Sequence, residues 1–169
     1  FSVDAEISRN ILLQADEVFI DSKEKLFSKA YLKGGIYKKT LQEDTEKLII
    51  DSYKSRATAV ELEIMLGNVK SEISYFDGVQ DVQQTPRAAF YALKNEKNYE
   101  GITTEQRFAL IEKASVVIRD QLTTEWKNYT AMVDAGKVPP EFNMKLAQEV
   151  FGGEAAQKML QEESVRKDA

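Results

Sequence analysis

The chain has 169 residues and a formal charge of −5, with 43% hydrophobic and 30% charged residues. This composition is typical of a folded domain that buries its own core, and the acidic balance argues against nucleic-acid binding, which depends on a basic surface. Neither Cys nor His occurs, so disulfides, thiolate metal sites and the commonest general base are excluded.

Two further features of the chain bear on its location. No run of about 18 apolar residues occurs, so no transmembrane segment is predicted. The sequence begins with Phe1 rather than Met. We therefore expect a processed or excised chain from an extracytoplasmic or organellar compartment, for which peripheral association with a membrane is one option.

The first predicted helix runs from Asp4 to Lys33 and is ended by Gly34 and Gly35. Asp21 followed by Glu24 resembles a capping box inside this span. No helix-breaking residue accompanies that pair, so one uninterrupted helix is favoured. Its apolar stripe consists of Ile7, Ile11, Ala15, Val18, Leu26 and Ala30.

The second predicted helix opens with a capping box formed by Thr40 and Glu43 and runs to Phe76. Asp77 and Gly78 are expected to end it. Its apolar stripe drifts around the helix axis, which indicates contacts with two or more neighbours along a length of about 50 Å. The first stripe consists of Ile49, Tyr53, Ala57, Val60 and Ile64, and the second of Leu62, Leu66, Val69, Ile73 and Phe76.

A short helix is predicted next, because Thr85 followed by Pro86 is typical of an N-cap and first helical position. It should reach about Asn98 and bury three apolar side chains, those of Ala89, Phe90 and Leu93. A long helix then follows Gly101, opened by a capping box of Thr103 and Gln106 and ended by Gly136. Its apolar stripe consists of Phe108, Ile111, Ser115, Ile118, Leu122, Trp126, Tyr129 and Val133.

The C-terminal segment is redirected by Pro139 and Pro140, which cannot continue the preceding helix. Two short amphipathic helices are predicted after them, separated by Gly152 and Gly153. Either both helices cover the rest of the domain, or at least the second docks on a partner. The residues that would make such a docking contact are Phe151, Met159 and Leu160.

No alternation of apolar and polar residues predicts a strand, so the predicted fold class is all-α. The short connections between the predicted helices favour an elongated antiparallel bundle similar to a four-helix bundle. The expected organisation is a helical bundle over residues 1–136 and a short helical C-terminal extension over residues 137–169.

The stretch SKEKLFSKAYLKGGIYKK, residues 22–39, concentrates positive charge in an otherwise acidic chain. Lysines near a helix C-terminus complement the helix dipole and can cover apolar surface with their stems. The alternative is a surface that meets an acidic partner protein or an anionic membrane. The candidate partner-binding residues are Lys23, Lys29, Tyr31, Lys33, Tyr37, Lys38 and Lys39.

The sequence contains no catalytic motif that we recognise, so we expect a protein that is not an enzyme and holds no cofactor. Its carboxylates are plentiful, but di-metal sites in helical bundles usually combine Glu with His, and surface exposure is the usual state of such acids. The stretch KGGIYKK lacks the preceding strand and the spacing of a phosphate-binding loop. No catalytic or metal-binding residue is therefore assigned.

In length, in its long capped helices and in the stretch YKSRATAVELEIMLGNVKSEIS, residues 53–74, the chain resembles the PsbQ-type extrinsic subunits of photosystem II, particularly the larger algal versions. Arg56, Ala57, Thr58 and the later leucines carry the sequence likeness. The resemblance implies a thylakoid-lumen protein that stabilises oxygen evolution and docks through lysines. The acidic composition and the segment from Pro139 to Leu160 depart from the plant pattern, which leaves the docking mode open.

The main expectation is thus a non-catalytic accessory subunit bound to protein subunits of a larger, membrane-associated assembly. A second class of protein is a sensory or ligand-binding helical bundle from the periplasmic or extracellular part of a receptor. Such a domain should begin and end on long helices that lead toward the membrane. The break at Pro139 and the polar ending QEESVRKDA argue against this alternative.

Overall fold

The computed structural model describes the backbone of residues 3–168 and the side chains of residues 16–165. Within that part of the chain every regular element is an α-helix and no strand occurs, so the predicted all-helical class is confirmed. The nine helices there are α1 Val3–Lys33, α2 Gly35–Lys39, α3 Leu41–Tyr53, α4 Ala59–Gly67, α5 Val69–Gln84, α6 Pro86–Leu93, α7 Thr104–Asp134, α8 Met144–Phe151 and α9 Gly153–Asp168.

The helices form two compact units, unit 1 over residues 1–74 and unit 2 over residues 75–169. The boundary between the units lies inside α5. Consequently α8 and α9 belong to the same compact unit as α6 and α7.

The first predicted helix is confirmed as the single helix α1. Its stripe is buried at Ala30, but Val18 is 67% exposed and the neighbouring Phe19 is buried instead. The Phe19 ring takes the inward position, where it meets the Tyr53 ring edge-on at 5.1 Å between centroids. Three further predicted stripe positions lie outside the side chains that the structure describes, and these are Ile7, Ile11 and Ala15.

The predicted single helix from Thr40 to Phe76 is wrong, because the structure divides that span into α3, α4 and the start of α5. The main break follows Tyr53. Thr58 then adopts an extended backbone, and its hydroxyl accepts a hydrogen bond from the backbone N–H of Glu61. Thr58 is therefore the N-cap of a new helix, and its spacing from Glu61 is itself a capping signal.

The capping box predicted at Thr40 does not form. The Thr40 hydroxyl oxygen lies 2.9 Å from the Ile36 carbonyl oxygen and 2.9 Å from a carboxylate oxygen of Asp44. An N-cap residue needs an extended backbone, whereas Thr40 has φ −95° and ψ 1° because it directly follows α2.

The predicted helix end at Asp77 and Gly78 is also wrong, since α5 continues to Gln84. Gly78 is buried, and a Cβ atom placed on it would lie 2.8 Å from Cδ1 of Leu110 on α7. The glycine therefore permits a close approach between two helices of unit 2, which is a different use of glycine from a turn.

Helix α6 begins at Pro86 and buries Ala89, Phe90 and Leu93, as predicted. It ends at Leu93 rather than at about Asn98. The guanidinium of Arg107 donates hydrogen bonds to the carbonyl oxygens of Leu93 and Asn98. The Leu93 carbonyl, at the end of α6, thus has a partner that the helix itself does not supply. The expected side-chain cap at Thr85 does not form.

Helix α7 begins with the predicted capping box of Thr103 and Gln106. The expected burial of Phe108 is wrong, since this side chain is 67% exposed and Leu110 is buried in the following half-turn. The other inward positions continue along the helix at spacings of three and four. The predicted positions that are confirmed as buried are Ser115, Ile118, Leu122 and Trp126.

The two predicted C-terminal helices are confirmed as α8 and α9. Helix α8 buries Leu146, Ala147 and Val150 in the core that α6 and α7 also form. The indole N–H of Trp126 on α7 donates to the carboxylate of Glu162 on α9 at 3.3 Å. The segment after residue 136 thus packs on the chain's own helices, which is the first of the two alternatives that the sequence left open.

Candidate functional site

The turn between α1 and α2 depends on two glycines. Gly34 has φ 58° and Gly35 has φ 54°, values that side chains with a Cβ atom rarely adopt. The chain therefore leaves α1 abruptly and enters α2, a helix of five residues in which no side chain is buried. We call this part of unit 1 the basic corner, and it comprises Lys29, Tyr31, Leu32, Lys33, Ile36, Tyr37, Lys38 and Lys39.

The Tyr37 ring on α2 contacts lysine side chains of α1. The Nζ atom of Lys29 lies 4.4 Å from the centroid of the Tyr37 ring, and that of Lys33 lies 5.6 Å from it. Both distances are within the range of cation–π attraction. The tyrosine therefore holds two ammonium groups of α1 beside α2, whose last turn carries Lys38 and Lys39.

The basic corner also exposes apolar surface that the sequence reasoning missed. Leu32 is 79% exposed and Ile36 is 67% exposed, one on each side of the two glycines. Tyr31 and Tyr37 are 38% and 37% exposed. Single exposed apolar residues are ordinary, but here two aliphatic and two aromatic residues lie among lysines. The available signal was that Leu32 falls outside the apolar stripe predicted for the first helix.

The candidate Lys23 has an ion-pair partner among the described residues of unit 1. Its Nζ atom lies 3.0 Å from a carboxylate oxygen of Glu72 and 5.5 Å from the centroid of the Phe19 ring. The structure therefore assigns Lys23 an internal contact between α1 and α5. It does not place Lys23 with the group held by Tyr37.

The C-terminal candidates occupy two different environments. Phe151 and Met159 are half-buried and pack against the core of unit 2. Leu160 is 40% exposed. Phe151 and Met159 thus already have apolar contacts inside the chain, and of these three candidates Leu160 is the exposed one.

Unit 2 contains a cleft that the sequence did not predict, which we call the aromatic cleft. Its volume is about 280 Å³, and its lining consists of Tyr129, Pro139, Pro140, Glu141, Phe142, Met144 and Glu163. The centroids of the Tyr129 and Phe142 rings are 6.2 Å apart. The two prolines that redirect the chain after α7 therefore also supply part of its wall.

Tyr129 of the cleft makes contacts through both its hydroxyl and its ring. Its hydroxyl donates to a carboxylate oxygen of Glu163 at 2.9 Å. Its ring stacks on Trp126 with centroids 5.4 Å apart and planes inclined by 9°. The indole, in turn, lies 5.0 Å from the Phe142 ring. The aromatic wall thus belongs to the packed part of unit 2.

Other kinds of site are not formed by the residues that the structure describes. Among them, no group of three or more acidic side chains converges in a way that would hold a metal ion. No described helix combines the length and the apolar character that a membrane span requires. Comparison with protein-family models, with curated proteins and with solved structures found no match to this chain.

Proposed function

We propose that this chain is a non-catalytic accessory subunit that binds a larger, membrane-associated assembly through the basic corner. The observation that carries the proposal is the exposure of two apolar side chains among lysines, Leu32 at the end of α1 and Ile36 on α2, the short helix that buries no residue. Exposed apolar residues supply contact area, and surrounding positive charge favours an acidic partner and speeds the encounter.

The formal charge of −5 makes this placement informative. An acidic chain is repelled by an acidic partner at most orientations, so a local basic surface would select one orientation for docking. Tyrosine is enriched at protein interfaces, and Tyr37 keeps two of the ammonium groups together. These features favour a protein partner over an interaction of charge alone.

The resemblance to PsbQ-type subunits gives the proposal its most specific form. In that form the assembly is photosystem II, the compartment is the thylakoid lumen, and binding stabilises oxygen evolution. An elongated arrangement of antiparallel helices, similar to a four-helix bundle, is part of the same proposal. Arg56, Ala57 and Thr58 support it on the sequence side, and the lysines of the basic corner support it on the chemical side.

The test is capture of a partner from detergent-solubilised membranes of the source organism on the immobilised protein. We expect stoichiometric retention at about 0.01 M salt and release at about 1 M salt, where the screening length falls from about 30 Å to about 3 Å. Replacing Lys33, Lys38 and Lys39 by Glu should reduce retention about tenfold or more, because attraction becomes repulsion.

A matched control variant replaces three exposed lysines of unit 2 by Glu, namely Lys113, Lys127 and Lys137. Both variants carry the same change in formal charge, so only the location of that change differs. Equal losses would contradict docking through the basic corner. No retained protein at either salt concentration would contradict the accessory-subunit proposal and favour the sensory alternative, and the identity of a retained protein decides whether it is photosystem II.

A further inference from the structure

We propose that the exposed face of α4 is a docking site for the basic corner of a second copy of this chain. We call this surface the α4 face, and it comprises Val60, Glu61, Glu63 and Ile64. The inference goes beyond the proposed function, because it names what binds the α4 face and does not require the larger assembly. It rests on the exposed apolar residues of both surfaces and on their opposite charges.

The α4 face has an apolar centre that the chain leaves exposed. Val60 and Ile64 are 65% and 59% exposed, and they lie about one helical turn apart, so their side chains share one side of α4. The opposite side of the helix is occupied, since Leu62 and Met65 pack against the core of unit 1. Helix α4 is thus anchored on one side and presents aliphatic surface on the other.

Carboxylates flank that apolar centre. Glu61 and Glu63 are both exposed, and at about 100° of rotation per residue they fall on opposite sides of the apolar pair. Helix α4 contains these two acidic residues and no basic residue. Arg56 precedes the helix, but its guanidinium donates to the Ser52 carbonyl oxygen and lies on the Tyr53 ring. The α4 face therefore combines apolar surface with negative charge.

The basic corner has the complementary composition. Residues 29–39 contain four lysines and no acidic residue. The apolar centre of this surface consists of Leu32 and Ile36, both largely exposed. An aliphatic pair among lysines thus matches an aliphatic pair between glutamates. Contact between the two surfaces would remove apolar area from water and bring opposite charges together.

A second copy is the occupant that these observations favour, because the chain itself carries the complementary surface. Both surfaces belong to unit 1, yet they do not cover each other within one copy, since their four apolar side chains remain mostly exposed. Contact between them therefore requires two molecules. Because the two surfaces differ, two copies form the contact twice in a symmetric pair, or several copies join head to tail.

Self-association would occupy the lysines of the basic corner. A copy whose lysines face the α4 face of another copy presents fewer of them to an acidic partner. The two modes of binding should therefore compete, and dilution should release the chain for docking on the larger assembly. This consequence rests on the proposed function, whereas self-association does not, so failure of one leaves the other standing.

The experiment is sedimentation equilibrium of the full chain. We expect the mean mass to rise as the concentration is raised from about 1 µM to about 1 mM, which covers micromolar to millimolar dissociation constants. The rise should be smaller at about 1 M salt than at about 0.01 M salt, because salt screens the charge pairs. A chain that stays monomeric over the whole range at the lower salt concentration would overturn the inference.

Charge-reversed variants test which surfaces meet. One variant replaces Lys33, Lys38 and Lys39 by Glu, and the other replaces Glu61 and Glu63 by Lys. Each alone should weaken self-association about tenfold or more, because like charges then face each other. An equimolar mixture of the two should associate again, since each surface of one variant meets a surface of opposite charge on the other. A mixture that stays monomeric would contradict the pairing of these surfaces.

Two further variants serve as controls. Glu96→Lys with Asp120→Lys makes the same change in formal charge as the α4 reversal, at exposed positions of unit 2, and should leave self-association nearly unchanged. Val60→Ala with Ile64→Ala keeps the charge and removes apolar area, so it should weaken self-association about threefold or more. Thermal unfolding by circular dichroism checks the fold of each variant. If the reversal at Glu61 unfolds α4, the alanine pair decides the question, because unchanged self-association there would also overturn the inference.

Discussion

Helices α4 and α8 have similar shares of apolar residues and different degrees of burial. The sequence of α4 is AVELEIMLG and no residue in it is buried, whereas α8, MKLAQEVF, buries three. The buried residues of α8 are Leu146, Ala147 and Val150, which share one face at spacings of one, three and four. The arrangement of apolar residues around a helix therefore decides its burial.

The apolar residues of α4 surround the helix. Leu62, Met65 and Leu66 pack against the core of unit 1, while Val60 and Ile64 are 65% and 59% exposed. Both sets follow a helical spacing, but they point in different directions. A short helix can pack only one face against its neighbours, so Val60 and Ile64 stay in solvent. The comparison predicts that similar substitutions in α4 and α8 have different consequences.

The largest difference is expected from truncating an apolar side chain in each helix. Leu146 is fully buried, so Leu146→Ala should lower the free energy of unfolding by roughly 2–5 kcal/mol, because it removes buried carbon and leaves a cavity. Ile64→Ala should change it by less than about 0.5 kcal/mol, since Ile64 is mostly exposed. Urea unfolding followed by circular dichroism measures both values.

Leu146→Met is the control for that pair, because it keeps the side-chain volume and should cost less than about 1.5 kcal/mol. Similar losses for Leu146→Ala and Ile64→Ala would show that α4 is as well packed as α8. That outcome would remove the difference between the helices.

Glycines in the two units offer a second, smaller contrast. A Cβ atom at Gly78 would lie 2.8 Å from Leu110 in the core of unit 2, whereas one at Gly67, at the end of α4, would meet nothing within 4 Å. Gly78→Ala should therefore destabilise by roughly 1–2 kcal/mol, after overpacking is offset by better helix propensity. Gly67→Ala should stabilise by up to about 1 kcal/mol.

Thermal unfolding of the two glycine variants gives the signs directly. Stabilisation by Gly78→Ala would mean that the side chain of Leu110 moves aside at no cost. The close approach of α5 and α7 would then not require glycine. Leu110→Val in the Gly78→Ala background should restore part of the loss, because it shortens the side chain that the new methyl group meets.

A third prediction concerns the N-terminus of α4. Because α4 buries no residue, its stability should depend more on its cap, where the Thr58 hydroxyl accepts from the Glu61 N–H. Thr58→Ala should cost about 1 kcal/mol and accelerate amide hydrogen exchange across α4. Thr40→Ala should cost less than about 0.5 kcal/mol, since the Thr40 side chain makes no capping hydrogen bond to α3. Equal costs would contradict this assignment of the cap.

The two threonines also show where reading the sequence succeeds and fails. Thr40 and Thr58 each precede a glutamate by three residues, and only the backbone conformation of the threonine decides which spacing forms a cap. The end of α1 and the start of α7 were predictable, because glycines or a complete capping box marked them. The interruption after Tyr53 was not, because no glycine or proline lies there.

The candidate sites differ in the same way. The lysines of the basic corner are neighbours in sequence, so their clustering was visible before the structure. The exposure of Leu32 had a signal, its place outside the apolar stripe predicted for the first helix, whereas the exposure of Ile36 had none, because the sequence did not predict α2. The aromatic cleft requires Tyr129 and Glu163, which are 34 residues apart. Only tertiary packing brings such residues together, so no local pattern could predict the cleft.

The smallest expected effect compares one tyrosine in each unit at alkaline pH. Burial first, and then the neighbouring Asp16 carboxylate, raises the pKa of Tyr53 to about 12. Burial and Asp81 raise the pKa of Tyr99 in unit 2 still further above its ordinary value. Because the folded state favours the neutral phenol, each tyrosine stabilises the fold fully below the unfolded pKa of about 10.

That stabilisation is lost as the pH rises through the folded pKa, so stability should fall between about pH 10 and about pH 12 for Tyr53. Tyr53→Phe should flatten this fall relative to the parent chain, while lysine titration contributes equally to both. Tyr99→Phe should flatten a fall that reaches higher pH. Phenolate absorbance during the pH titration identifies the groups. Identical pH profiles for the parent chain and Tyr53→Phe would mean that burial and the Asp16 contact do not hold the phenol neutral, and the link between α1 and α3 would then rest on the edge-on contact of Phe19 with the Tyr53 ring.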